Sequence, residues 1–146
     1  MVYNGYDLVY GSMIHVSKLC AIFNVPYDKN SDRVVIYDIV NIIDEILSKQ
    51  YELIKVKPKH CCYNDGIVFI GYYIGSTHFV YRDEVCEYKT FNKYHNKNSK
   101  ELSKLKKTFK ESQLQIKKEF VLLRKEFPKI NKPKFYTFAN DCESCT

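Results

Sequence analysis

The sequence predicts an α+β protein, in which a small antiparallel sheet with one or two packed helices is followed by a long C-terminal amphipathic α-helix. In residues 1–94, several β-prone runs follow one strongly helical segment, an order that favours an antiparallel sheet over a doubly wound fold. Residues 98–127 contain neither Gly nor Pro and are rich in Lys, Glu, Leu and Gln, which are good helix formers. The length of 146 residues allows one ordinary domain, or one small domain with an appendage.

The first element has two interpretations. Residues 6–16 are rich in Val, Ile and Tyr, and a strand here places Leu8 and Tyr10 on one face, with Ser17 capping a short helix after it. Apolar residues spaced by three or four positions over residues 12–23 are also typical of a helix. The sequence alone leaves both interpretations open.

Residues 34–50 predict an amphipathic helix, because apolar residues recur there at helical spacing. The N-cap is Asp38 if residues 34–37 form a strand, and Ser31 if they form the first helical turn. We expect Ile42 and Ile46 of this helix to be buried in the core. The apolar stripe consists of Ile39, Ile42, Ile43, Ile46 and Leu47.

Besides the apolar run at residues 66–75, four segments after this helix predict strands and a turn. Residues 51–57 alternate in polarity and end at Pro58, and the Asn-Asp-Gly run at 64–66 is typical of a turn. Residues 78–85 and 86–91 are β-prone and predict further strands.

The most apolar strand candidate spans residues 66–75. It is apolar on both faces, which predicts a central strand with Phe69 and Ile70 in the core. Gly71 and Gly75 within it indicate close approach of a neighbouring backbone or a bulge.

Residues 98–127 predict one continuous helix, with Ser99 as its N-cap and Pro128 just after its end. Its apolar residues follow a heptad seam, and its length of about 42 Å exceeds the width of a small domain. We expect the N-terminal domain to cover part of the seam and a second copy or another protein to cover the rest. The seam consists of Leu102, Leu105, Phe109, Ile116, Phe120, Leu123 and Phe127.

The same helix carries a lysine-rich face that is a candidate for contact with nucleic acid. Aromatic residues interleaved with basic ones can stack on bases, but here the aromatic residues all lie on the seam, which favours packing. The candidate contacts are Lys104, Lys106, Lys107, Lys110, Lys117 and Lys118.

The charge is distributed unevenly along the chain. Residues 1–94 hold 10 basic and 11 acidic residues, whereas residues 95–146 hold 13 and 6, so the excess of basic residues lies in the last third. This asymmetry predicts a globular α+β domain at 1–94, a basic amphipathic helix at 95–128, and an extended C-terminal tail with a CxxC motif at 129–146.

The composition bears on both source and partners. Lysines number 20 and arginines 3, and Ile, Tyr and Asn are frequent, a bias expected of an AT-rich genome such as that of a large DNA virus. Lys lacks the planar fork with which Arg reads bases, so a sequence-specific DNA reader is disfavoured. Nonspecific attraction to phosphate stays open.

The six cysteines are expected to be reduced thiols, because the sequence shows no signal peptide. Cys142 and Cys145 form a CxxC, and with Cys61 and His60 they are weak candidates for a zinc site. No second CxxC accompanies them, so a thiol-bearing tail is favoured and no metal site is assigned.

The sequence contains no HExxH, GxSxG, P-loop or dinucleotide-binding motif. We therefore expect a non-enzymatic structural or protein-interaction protein without a cofactor, located inside the cell (host cytoplasm or virion, if viral). Its C-terminal helix would mediate assembly with a protein partner or a second copy. No apolar run is long enough to span a membrane. The alternatives are a nonspecific nucleic-acid-binding protein and a zinc- or thiol-dependent protein using Cys142 and Cys145.

Overall fold

The computed structural model describes residues 3–30, 33–58, 66–77, 85–87 and 96–142, and these form a mixed α+β fold, as the sequence predicts. In chain order the elements are β1 (Tyr3–His15), α1 (Val16–Phe23), α2 (Arg33–Ser48), β2 (Lys55–Pro58), β3 (Ile67–Thr77), β4 (Val85–Glu87), α3 (Asn96–Thr108), a 3₁₀ turn (Phe109–Glu111), α4 (Gln113–Glu126) and β5 (Lys134–Cys142).

The five described strands form one sheet in the order β2-β3-β1-β5-β4, and every pair is antiparallel. β1 lies at the centre, where Gly11 pairs with Gly71 of β3 and Tyr10 pairs with Phe135 of β5. β3 is an interior strand between β2 and β1, in agreement with its apolar sequence. Residues 134–142, expected to belong to an extended tail, instead form a strand beside β1, so the last third of the chain contributes to the same sheet as the first.

The strand interpretation of the first element is correct, and the helix begins only at Val16. His15 caps α1 in place of Ser17: its Nδ1 accepts a hydrogen bond from the Ser17 backbone N–H at 3.1 Å. The Val16 N–H donates to the Gly66 carbonyl at 2.7 Å, which joins the start of α1 to the start of β3. The expected turn at residues 64–66 lies outside the described residues except for Gly66, whose φ of +76° favours glycine.

Helix α2 begins at Arg33, so residues 34–37 form its first turn and not a strand. Ile43 and Leu47 are buried, but Ile42 and Ile46 are 49% and 43% exposed, so the prediction that these two lie in the core is wrong. The apolar stripe of α2 is wider than the face that the rest of the protein covers. Sheet and helices cover the side that carries Ile36, Ile39, Val40, Ile43 and Leu47.

Phe69 and Ile70 are fully buried on opposite faces of β3, as predicted. The Phe69 ring lies over the paired glycines of β1 and β3, where a Cβ on Gly71 would come within 2.6 Å of the ring and 2.3 Å of the Tyr10 carbonyl. Phe69 also meets the Phe138 ring edge-on at 5.0 Å between centroids. The close approach predicted at Gly71 is therefore present.

The C-terminal helix is not continuous, which corrects the prediction of a single long helix. α3 ends at Thr108, whose hydroxyl donates to the Lys104 carbonyl at 3.1 Å, a bond that often bends helices. A 3₁₀ turn follows, and Ser112 (φ −102°, ψ 0°) separates it from α4. The break allows the two halves to pack differently, since Leu102 contacts Leu8 while α4 joins the main core.

The two sides of α2 should differ in their effect on stability. Ile43→Ala should lower the free energy of unfolding by about 2–5 kcal/mol, because it removes fully buried methyl groups and leaves a cavity. Ile42→Ala, one position away and half-exposed, is the control and should cost less than about 1 kcal/mol. Urea denaturation followed by circular dichroism measures both, and equal losses would contradict the assigned faces.

Candidate functional site

The heptad seam lies mainly inside the protein. Leu102, Phe109, Ile116, Phe120 and Leu123 are at most 3% exposed, and Leu105 and Phe127 are partly buried. The chain's own fold covers the seam, including the portion that was expected to meet a partner, so that expectation is wrong.

Tyr10 of β1 packs against aromatic residues of the seam and so joins the seam to the sheet. Its ring lies 5.0 Å from that of Phe109, 5.8 Å from that of Phe120 and 5.0 Å from that of Phe135, centroid to centroid. Burial raises the pKa of the Tyr10 phenol, so this ring stays neutral at physiological pH. At the far end of α4, Phe127 packs on Phe23 of α1 at 4.6 Å.

Polar contacts with the segment after α2 set the rotation of α4. The buried Glu119 accepts a hydrogen bond from the Leu53 N–H at 2.9 Å through Oε1, and Gln115 donates to Glu52 Oε2 at 2.9 Å. The Tyr51 hydroxyl lies 3.3 Å from Glu126 Oε2, and its pKa is raised by burial and then by the Glu126 charge, so it remains a donor. These contacts fix the orientation of α4 about its axis, in which Ile116, Phe120 and Leu123 face the core.

The outward side of α4 exposes large apolar side chains. Leu114 is 77% exposed, Val121 59% and Leu122 56%. Together with Lys117 and Lys118 they line a shallow groove of about 450 Å³, and none of the described residues that line it is acidic. These five residues are called the α4 surface below.

A second surface collects lysines beside the aromatic cluster. Lys106, Lys110, Lys117 and Lys134 line a groove of about 400 Å³ that also has Tyr10, Phe109 and Phe135 in its walls; these seven residues are called the basic groove below. Lys106 Nζ lies 4.9 Å from the centre of the Phe135 ring, a cation–π distance. An adjoining pocket of about 210 Å³ adds Arg124.

The structure brings together three of the six lysines proposed for nucleic-acid contact. Lys106, Lys110 and Lys117 meet in the basic groove, and Lys134 of β5 joins them. Lys104 and Lys107 are exposed on α3, and Lys118 belongs to the α4 surface.

Three of the four zinc candidates, His60, Cys61 and Cys145, lie outside the described residues. The fourth, Cys142, is the last residue of β5, where its backbone pairs with Tyr3. Within the described ranges no three His, Cys, Asp or Glu side chains are arranged to hold a metal ion. Cys20 is a buried free thiol, and burial raises its pKa, which disfavours the reactive thiolate.

The chain matches no protein-family model, no curated protein and no solved structure. In the part of the chain that the structure describes, no helix combines the length and the apolar character needed to cross a membrane.

The sequence reasoning missed Leu114, Val121 and Leu122. They are the apolar residues of residues 98–127 that do not belong to the heptad seam. The presence of large apolar residues outside the seam was the sequence feature that could have identified them. Their spacing of seven and eight positions places them beside the lysines and away from the seam.

Adjacent residues of α4 should report which side faces the core. Phe120→Ala should destabilise the protein by about 3–5 kcal/mol, since the ring is 2% exposed and packs against Tyr10. Val121→Ala should cost less than about 1 kcal/mol, because that side chain is more than half exposed. Thermal or urea unfolding measures both, and the reverse order would show that α4 is rotated.

Proposed function

We propose that this chain is a non-enzymatic protein-interaction protein whose α4 surface docks an amphipathic helix with acidic flanking side chains. The observation that carries the proposal is the cluster of Leu114, Val121 and Leu122, each more than half exposed on one side of a helix whose other side is locked in the core. Assembly thus uses the same helix that the sequence indicated, through the side opposite the seam.

The apolar part of this surface supplies the driving force. Single exposed apolar residues are normal, but several in one patch mark interaction sites, because each gains about 25 cal/mol per Å² of apolar surface removed from water. Apolar residues two helical turns apart, as Leu114 and Val121 are, match the spacing with which one helix packs on another.

The charged part selects the partner. Lys117 and Lys118 line the groove, and Lys125 is exposed about two helical turns beyond Lys118. A helix with basic flanks would be repelled by these lysines, whereas Asp or Glu beside its apolar stripe would complement them. Lys also presents a long alkyl stem that adds apolar contact while its ammonium group stays in water.

The α4 surface should bind a synthetic helical peptide that has Leu at heptad positions and Glu at the flanking positions. The same peptide with Lys in place of Glu should bind at least about tenfold more weakly, because it meets the lysines with like charge. Leu114→Glu with Val121→Glu should weaken binding of the Glu peptide by at least about tenfold. Fluorescence anisotropy of labelled peptide gives each dissociation constant.

Lys104→Gln with Lys107→Gln is the matched control. It lowers the net charge by the same two units, at exposed positions on α3 that lie outside the α4 surface. This control should bind like the wild type. Equal affinity for the two peptides, or an equal loss in both protein variants, would overturn the proposal.

The basic groove favours a second candidate function, nonspecific binding of single-stranded nucleic acid. Its four lysines converge on one channel, and none of its seven residues is acidic. The aromatic rings are largely buried or covered, since Tyr10 is 9% and Phe109 3% exposed. Phosphate attraction, and not base stacking, would therefore dominate such binding.

Removal of lysines from the basic groove should reduce the salt dependence of nucleic-acid binding. Lys110→Gln with Lys134→Gln should make the slope of log affinity against log salt shallower by about 0.7 for each phosphate that the variant no longer neutralises. The Lys104→Gln, Lys107→Gln variant should keep the wild-type slope. Titration of an oligothymidylate at several salt concentrations measures this, and equal changes in the two variants would show diffuse attraction and no role for the groove.

A further inference from the structure

We infer that the helix received by the α4 surface is α2 of a second copy of this chain, so that copies associate head to tail. This inference rests on the proposed function, because it names the partner of the same surface. It starts from three apolar side chains on one face of α2 that are each more than 40% exposed, Val35, Ile42 and Ile46.

α2 exposes a stripe that is apolar and acidic. Val35 is 41% exposed, Ile42 49% and Ile46 43%, and Asp38 and Glu45 are exposed beside them. These five residues are called the α2 surface below. It has the chemistry that the α4 surface requires: apolar side chains at helical spacing, with the carboxylates of Asp38 and Glu45 along their edge and the exposed Lys49 just beyond the end of the helix.

The two surfaces also match in spacing. Val35 and Ile42 are seven residues apart, as are Leu114 and Val121, which corresponds to about 10.5 Å along each helix. Suppose that the two helices run parallel, with Val35 beside Leu114 and Ile42 beside Val121. Asp38 lies three positions after Val35, and Lys117 lies three positions after Leu114. An acid on α2 then lies opposite a base on α4.

The two surfaces cannot meet within one molecule. α2 and α4 each bury their other side in the same core cluster, through Ile43 and Leu47 on α2 and through Ile116 and Phe120 on α4. Both exposed sides therefore face away from that core, and only two copies can bring them together.

Charge also disfavours pairing of like surfaces. Two α4 surfaces in contact would oppose Lys117 and Lys118 to the same lysines, and two α2 surfaces would oppose Asp38 and Glu45 to themselves. The favourable arrangement joins different surfaces, so a single contact between two copies leaves one unused surface of each kind. Such a heterologous contact continues into a filament or closes into a ring.

Two one-sided variants of the full chain test this arrangement. Ile42→Lys with Ile46→Lys blocks the α2 surface, and Leu114→Glu with Val121→Glu blocks the α4 surface. All four positions are exposed, so each variant should fold. Circular dichroism melting is the check that it does. Sedimentation velocity from micromolar to millimolar concentration should show wild-type assemblies that grow beyond a dimer. Each variant alone should weaken self-association by at least about tenfold.

An equimolar mixture of the two variants is the decisive sample. Each variant keeps one intact surface, so the mixture should form a 1:1 heterodimer that neither variant forms with itself. Gln50→Lys with Asn131→Lys and Lys104→Gln with Lys107→Gln match the charge changes at exposed positions outside both surfaces and should assemble like the wild type.

Three results would overturn the inference. The wild type could stay monomeric at all concentrations, the α2-blocked variant could assemble like the wild type, or the mixture could fail to form a heterodimer. If the acidic peptide still binds the α4 surface in any of these cases, the proposed function stands and the partner is another protein. If the peptide fails as well, both fall.

Discussion

The contact of Tyr10 with the aromatic side chains around it is the interaction on which the rest of this structure depends. Tyr10 lies on the central strand and packs against Phe109 at the break between α3 and α4, against Phe120 of α4, and against Phe135 of β5. Aromatic rings bury large areas and prefer tilted or edge-on contacts, so one ring can hold several elements at defined angles. The cluster joins the first strand of the chain to its last and places both C-terminal helices on one face of the sheet.

The placement of Phe120 decides what the protein presents to solvent. Once Phe120 and Leu123 point into the core, a helix of 3.6 residues per turn must carry Leu114 and Val121 on its outer side. The hydrogen bond from the Leu53 N–H to the buried Glu119 holds the same rotation. The exposed apolar patch is therefore a consequence of how the core is filled.

The fold places the acidic and the basic parts of the chain on different helices. The first 94 residues are slightly acidic and the remainder strongly basic, and both parts contribute helices to one side of the sheet. Carboxylates consequently line the outer edge of α2 and lysines the outer side of α4. Opposite charge on two apolar helix faces steers encounter and disfavours like pairs, which are the properties a head-to-tail assembly needs.

The local sequence pattern was enough to predict the α+β class, the antiparallel sheet and the interior position of β3. It also predicted the apolar character of α2 and of the C-terminal seam. These features follow from strand and helix periodicity, which is a property of residues close together in the sequence. The sequence could not show that Ile42 and Ile46 are exposed while Ile43 and Leu47 are buried, because all four belong to one apolar stripe of α2. Which part of that stripe is buried depends on the sheet and helices that pack against it. Nor could the sequence show the break after Thr108, because every residue of that segment tolerates a helix and it is the packing of Phe109 on Tyr10 and Phe135 that accompanies the turn. The candidate surface depends on both of these choices, so only the tertiary structure decided which apolar side chains remain for a partner.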